Sequence, residues 1–210
     1  MALQNVWYYT DLPDKIIDII EEDLTKNFDP HMRESRLHGD SVNKNKRNSY
    51  NAWIPTNYWV AGFLWHYVQR ANRENFLFDL SCIDNESLQY TRYGEGQFYG
   101  WHNDAGFSTQ YKPNIVGRQG SDGEMKEDFL NKNTEHVRKL SFTIQLSDPD
   151  DYEGGNVILL DEGGSTKKFV APRKKGTIIL FDSRTPHCVN KVKKGVRKSI
   201  VGWVVGPRWR

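Results

Sequence analysis

Leu140-Ser-Phe-Thr-Ile-Gln-Leu-Ser-Asp-Pro-Asp-Asp-Tyr-Glu-Gly-Gly155 reads as a strand, covering Lys139 to Leu146, that runs out into a Glu153-Gly-Gly turn. The same unit recurs down the chain. Strands are expected at Asn156 to Leu160, Lys167 to Val170, Thr177 to Phe181, His187 to Val192 and Arg197 to Val205, separated by Glu162-Gly-Gly, Arg173-Lys-Lys-Gly and Lys194-Gly. Many short strands with regular turns indicate an antiparallel sandwich or barrel. Upstream, alternation begins after Glu74 and gives strands at Phe76 to Ser81, Ser87 to Tyr93 and Gln97 to Trp101.

Before Glu74 the period is helical. Pro13 suits a helix start, and Ile16, Ile17, Ile20 and Leu24 share one helical face. A second helix is expected from about Asn57 to Asn75, with Trp59, Phe63, Leu64, Tyr67 and Val68 as its apolar stripe. Residues 26 to 49 read as loop up to Arg47-Asn-Ser-Tyr-Asn-Ala-Trp-Ile54, which suits a strand. Helices first and strands afterwards argue an α+β chain. The segment from Ser108 to Arg138 is polar, charged and without a period. A loop of that length is expected to be a substrate lid or a solvated insertion, with Arg118, Lys126 and Arg138 available to select the substrate.

A length of 210 residues suits one globular domain over residues 1–210: a helical and loop region to about residue 75, then a β core over about 76–205. The net charge of +2 offers no general grip on nucleic acid or an acidic membrane, so neither is an expected partner. Two cysteines, Cys82 and Cys188, are too few for a disulfide scaffold. With no signal-like segment and no membrane-length apolar run, a reducing, cytoplasmic setting is expected. Seven tryptophans are more than packing needs, and part of that aromatic content is expected to line a cleft.

Chemistry concentrates in Tyr99-Gly-Trp-His-Asn-Asp-Ala-Gly106, in the later His187, and in Arg197 ten positions beyond it. His102-Asn-Asp104 alone is a common surface arrangement. With a distant second histidine it becomes the facial triad of non-haem Fe(II) sites, which leaves three adjacent positions open on the metal. Arg197 offers a permanently charged planar fork matched to a carboxylate. On adjacent antiparallel strands, ten positions suffice to turn and return beside His187. A zinc hydrolase could use His, Asp and His but would not call for Arg197. His31, His38, His66 and His136 have no ligand-spaced partner and read as surface or packed imidazoles, and Cys188 as a small buried neighbour on the opposite strand face.

Taken together, His102-x-Asp104, Leu140 to Gly155, Gly176-Thr-Ile-Ile-Leu-Phe-Asp, His187 and Gly195-Val-Arg-Lys-Ser-Ile-Val-Gly-Trp203 resemble the prolyl 4-hydroxylase-like branch of the Fe(II)/2-oxoglutarate dioxygenases, nearest its PKHD-type hydroxylases. The likeness runs from about Ser87 to Val205. It implies a double-stranded β-helix (a jelly-roll, cupin-like core) braced by N-terminal helices. It implies Fe(II) on His102, Asp104 and His187, and the far carboxylate of 2-oxoglutarate on Arg197, with dioxygen as co-reactant and ascorbate as a reductant. Tyr93 matches a phenol that bonds the cosubstrate; Gln145 stands where many relatives carry a second Tyr, and its amide still has a donor. Tyr99, Trp101 and Trp203 are placed in the substrate pocket, while Gly154 and Gly155 match a turn.

The implied reaction is hydroxylation of an unactivated C–H bond, with succinate and CO2 released and a peptidyl proline as substrate. A small molecule or a nucleobase is the alternative substrate, and a non-catalytic barrel of the same fold is the alternative class. The nucleic-acid demethylases of the superfamily pair the cosubstrate arginine with a second one six positions on, where this chain has Trp203.

Overall fold

The computed structural model describes residues 6–37, 42–84, 88–104, 136–160 and 167–209. In chain order come β1 (Val6–Tyr9), α1 (Asp14–Asn27), β2 (Arg33–Glu34), β3 (Arg47–Asn48), β4 (Tyr50–Ile54), α2 (Trp59–Ala71), β5 (Cys82–Ile83), β6 (Leu88–Tyr93) and β7 (Phe98–His102). There follow β8 (His136–Gln145), β9 (Tyr152–Gly154), β10 (Val157–Leu160), β11 (Lys168–Val170), β12 (Ile178–Asp182), β13 (His187–Val189), β14 (Val192–Gly195) and β15 (Arg197–Pro207). The pairing is antiparallel throughout. A major sheet of eight strands runs β1-β12-β8-β15-β6-β4-β2, with β5 beside β15, and a minor sheet runs β11-β10-β13-β7-β3. Strands β14 and β9 form a separate pair. This is the expected double-stranded β-helix with helices on one side.

Alternation assigns the two faces of the major sheet. Leu140, Phe142 and Ile144 of β8, Leu88 and Tyr90 of β6 and Ile200 and Val204 of β15 join the α1 residues Ile17, Ile20 and Leu24 and the α2 residues Val60, Leu64 and Val68 in one core. Both helices therefore brace the outer face. The inner face meets the minor sheet through a second cluster that includes Tyr93, Val157, Leu159, Ile179, Phe181 and Val189. The opposite face of β8 carries Ser141, Thr143 and Gln145, so the space between the sheets is polar as well as apolar.

Several boundaries differ from expectation. Residues 77–81 form no strand: Leu77 takes a left-handed conformation (φ 54°), and the Asn72 side chain bonds both N–H and C=O of Phe78. The alternation there still buries Phe76 and half-buries Phe78 and Leu80 against the core, without a partner ladder. The expected strand from His187 to Val192 is two, β13 and β14, in different sheets. β1 and β9 lacked a sequence signal; β1 is an edge strand whose Val6 to Tyr9 pair with Phe181 to Ile178. The expected loop ends early, because His136 to Arg138 already belong to β8. Its remainder, with Arg118 and Lys126, and also His38, lies outside the described residues. Among the described residues no helix is long and apolar enough to cross a membrane.

Candidate metal and cosubstrate site

His102 closes β7 and His187 opens β13, and the two stand directly opposite each other in the antiparallel pair. One step away Tyr99 pairs with Val189, so Gly100 and Trp101 together face the single residue Cys188. This bulge shifts the alternation by one residue. As a result Tyr99, three positions before His102, lies on the same side and stacks on its imidazole, with ring centroids 3.6 Å apart and planes 16° apart. Trp101, inside the bulge, is about half exposed (48%), and the Lys168 ammonium lies 5.7 Å from its ring centroid.

Asp104 follows as the strand ends, its N–H donating to the Ser183 carbonyl at 2.9 Å. Its carboxylate oxygens lie 3.7 Å from His102 Nε2 and 3.5 Å from His187 Nε2. One ligand atom from each of the three residues falls within 4.8 Å of the others. Both imidazoles donate from Nδ1 to backbone carbonyls, His102 to Gly100 at 2.8 Å and His187 to Thr185 at 3.0 Å. A carbonyl only accepts, so the proton sits on Nδ1 and the Nε2 lone pair is left facing the site. Burial, reinforced by neighbouring His187, brings His102 down to about 4, which keeps it neutral at physiological pH. Burial alone would raise Asp104, but His187, His102 and a hydrogen bond from Ser141 hold its carboxyl below the usual range. That bond, Ser141 Oγ to Oδ2, measures 2.6 Å, and Ser141 Oγ in turn meets Ser183 Oγ at 3.0 Å. Two imidazole Nε2 atoms and one anionic oxygen, each side chain oriented by a second partner, fit Fe(II).

Arg197 reaches this site by a different route from the one its spacing suggested. It opens β15 in the major sheet, opposite Tyr93 of β6, whereas His187 is in the minor sheet; β14 lies between them in sequence. The two residues therefore face each other across the sandwich rather than along neighbouring strands. Arg197 is only 2% exposed. Nη2 donates to Gln145 Oε1 at 2.8 Å and Nη1 to Ser199 Oγ at 3.1 Å, while Nε has no partner. Burial lowers its pKa, opposed by Tyr152 and Tyr93. Tyr93 is buried, its ring centroid 5.6 Å from the guanidinium carbon. None of these partners is a carboxylate. A buried guanidinium with an orphaned N–H, only neutral hydrogen-bond partners and the Arg173 cation nearby suits an anionic guest such as the far carboxylate of 2-oxoglutarate.

The structure adds residues that the sequence did not single out. Tyr152 lies against Arg197, and a Cβ on Gly155 would come within 3.1 Å of Arg197 Cδ and 3.2 Å of the Tyr152 ring. Their signal was the Tyr152-Glu-Gly-Gly155 run, read only as a turn. Arg47 lies 4.7 Å from the Tyr99 ring centroid and donates to Ser49 and Gln89. Arg138, expected on a loop, is fixed within β8. Its Nε bonds Asp84 Oδ2 at 2.8 Å, and its guanidinium lies 4.0 Å from the centroid of Trp203, which is itself buried with Nε1 unpartnered. A bulge at Lys139, where Val204 pairs with Leu140 but Val205 with Arg138, re-aims that side chain. His136 is packed, bonding Ser81 Oγ at 2.8 Å, and both cysteines are unpaired.

Comparison with known proteins agrees with this geometry. A PKHD-type hydroxylase of a Synechococcus species is 37% identical over 118 residues, which are 56% of this chain and 41% of that relative, so the chain spans less than half of the relative's length. Among solved structures, a Pseudomonas putida prolyl-4-hydroxylase superposes with a TM-score of 0.65 at 17% identity, covering 97% of this chain and 93% of that one. A prolyl hydroxylase of Trichoplax adhaerens, in complex with a hypoxia inducible factor oxygen degradation domain peptide, superposes with a TM-score of 0.63 at 14% identity, covering 96% and 83%. Both structural likenesses show the fold. The family model of the 2OG-Fe(II) oxygenase superfamily matches residues 88–205, from the start of β6 almost to the end of β15 and so across every residue of the site. The chain belongs to the 2OG-Fe(II) oxygenase superfamily, whose members use Fe(II), 2-oxoglutarate and dioxygen.

Proposed function

We propose that the protein is a 2-oxoglutarate-dependent oxygenase that hydroxylates an unactivated C–H bond, with a peptidyl proline in a peptide or protein as substrate. One observation carries the reading: an open three-ligand face and a buried arginine with only neutral partners sit across the same sandwich. His102, Asp104 and His187 would hold Fe(II), and Arg197, with Tyr93 and Gln145 beside it, the far carboxylate of 2-oxoglutarate. When bound, the metal and cosubstrate supply dioxygen activation and the oxidising power for hydroxylation, with succinate and CO2 as co-products.

The chain's own contribution is placement. Gly100 and Thr185 fix both imidazole tautomers, Ser141 holds Asp104, and Tyr99 locks the His102 ring by stacking. Tyr99 and Trp203 line the substrate side, where aromatic faces suit an extended proline-containing segment; Trp101, expected with them, is instead half exposed beside Lys168 on the outer face of the minor sheet. The likeness to prolyl hydroxylase folds supports the same substrate class. We read residues 1–210 as one oxygenase domain, since α1 and α2 pack on the sheet that carries Arg197. Two unpaired cysteines support a cytoplasmic setting.

The test is aerobic incubation with Fe(II), 2-oxoglutarate, ascorbate and a panel of proline peptides, following succinate and the mass gain of one oxygen atom. Succinate dependent on Fe(II) and 2-oxoglutarate, together with an oxidised peptide, is the expected result. Succinate without peptide oxidation would remove proline but keep the oxygenase; neither product under any condition would remove both.

A further inference from the structure

Strand β8 links the two ends of the site. Ser141, which holds Asp104, and Gln145, which holds Arg197, are on its inner face, and Thr143 lies between them on that same face. Thr143 is 5% exposed, and its Oγ1 has no hydrogen-bond partner. One strand over, Thr177 accepts from the Gln145 N–H through its carbonyl. Thr177 precedes by two positions Ile179, a member of the inner cluster, so it too faces inward. It is 0% exposed, and its Oγ1 is likewise unpartnered. With Arg197 Nε, three buried polar atoms without partners thus belong to residues that neighbour Gln145 along its strand, across the backbone pairing and through its side chain. A buried hydroxyl left unsatisfied is destabilising, and valine fills the same volume without that penalty.

Arg197 also does not present its whole fork. One N–H of Nη2 is engaged by Gln145 and one of Nη1 by Ser199. A carboxylate accepts at about four lone-pair positions, more than the remaining guanidinium N–H groups fill in one plane. The geometry points to Thr143 and Thr177 as binding residues for the far carboxylate of a 2-oxo dicarboxylate, their hydroxyls donating from either side of Gln145. This rests on the proposed function, in which such an acid bridges Arg197 and the triad.

The experiment uses full-length protein loaded with Mn(II) under exclusion of oxygen, titrated calorimetrically with 2-oxoglutarate and with 2-oxobutyrate, which lacks the far carboxylate. Thr143→Val and Thr177→Val should each weaken 2-oxoglutarate by about tenfold to 150-fold, the range of one hydrogen bond to a charged group. Binding of 2-oxobutyrate should stay within about twofold, and the thermal midpoint of ligand-free protein should hold or rise as an unsatisfied hydroxyl disappears. Thr143→Ser and Thr177→Ser, which keep the hydroxyl, should retain 2-oxoglutarate affinity and cover the case of a poorly folded valine variant. Undiminished 2-oxoglutarate affinity in both valine variants and their double would overturn the assignment. Equal losses for both acids would also overturn it, by placing the effect at the metal end. Wild-type protein that binds neither acid would instead overturn the oxygenase reading.

Discussion

At the scale of single residues, the site depends on which nitrogen and which oxygen is left free, and hydrogen bonds to the backbone decide that. His102 and His187 each have Nδ1 tied to a carbonyl, so only Nε2 is available to a metal. Replacing His102, Asp104 or His187 by Ala should therefore abolish stoichiometric binding of Fe(II) or Co(II), measured calorimetrically, while far-ultraviolet circular dichroism stays that of the folded protein. Tight metal binding by His187→Ala would move the site elsewhere. Arg197→Lys keeps charge but loses the fork, and should raise the 2-oxoglutarate dissociation constant. Arg197→Ala should be worse, by about 1.5–3 kcal/mol. Unchanged cosubstrate titrations in both would dismiss Arg197 as the anchor.

His102 also sets a pH dependence for the metal-free protein. Its pKa is about 4 when folded against an ordinary 6.5, so between those values the unfolded chain binds the extra proton. Stability is full above pH 6.5 and falls as pH drops towards 4, by up to about 1.4 kcal/mol per unit from this group. Urea titrations of metal-free wild type and His102→Asn across that window provide the check: the variant should show a shallower slope, and identical slopes would refute the contribution.

At the scale of elements, paired strands carry the chemistry and local backbone irregularities aim it. The β7–β13 pair sets the two histidines opposite each other, and its bulge brings Tyr99 onto His102. Strand β8 does the same for both ends of the site through its inner residues. Its outer face has no slack. A Cβ on Gly202 of β15 would run into the Phe142 ring and come within 2.6 Å of Leu88 Cδ2. Gly202→Ala should thus destabilise the fold by about 1–3 kcal/mol in thermal or urea unfolding. The folded fraction should keep its metal affinity, because the overpacked contact lies on the helix side of the sheet; a selective loss of metal binding with normal stability would contradict that separation of faces.

At the scale of the whole molecule, α1 and α2 hold the major sheet from behind while the minor sheet closes over its front. Leu24, fully buried between α1 and the sheet, tests the first contact. Leu24→Ala should cost about 2–5 kcal/mol of stability, and 2-oxoglutarate affinity measured well below the melting point should change little. What the sequence determined by itself was whatever depends on local order. Alternation marked β6, β10, β12 and β15 to within a residue or two and β8 from three residues after its start, a 3.6-residue period marked both helices, and residue type marked His102, Asp104, His187 and Arg197 as a candidate ligand set and its proposed anchor. Tertiary structure decided the rest, because sheet membership, bulges and side-chain partners depend on residues far away in the chain. Arg197 proved to face His187 from the other sheet. Gln145 became the guanidinium's partner through a pairing 52 positions long, and Arg138 a packed cation on Trp203. No window of sequence contains both members of such contacts, so their energies act only once the two sheets have closed.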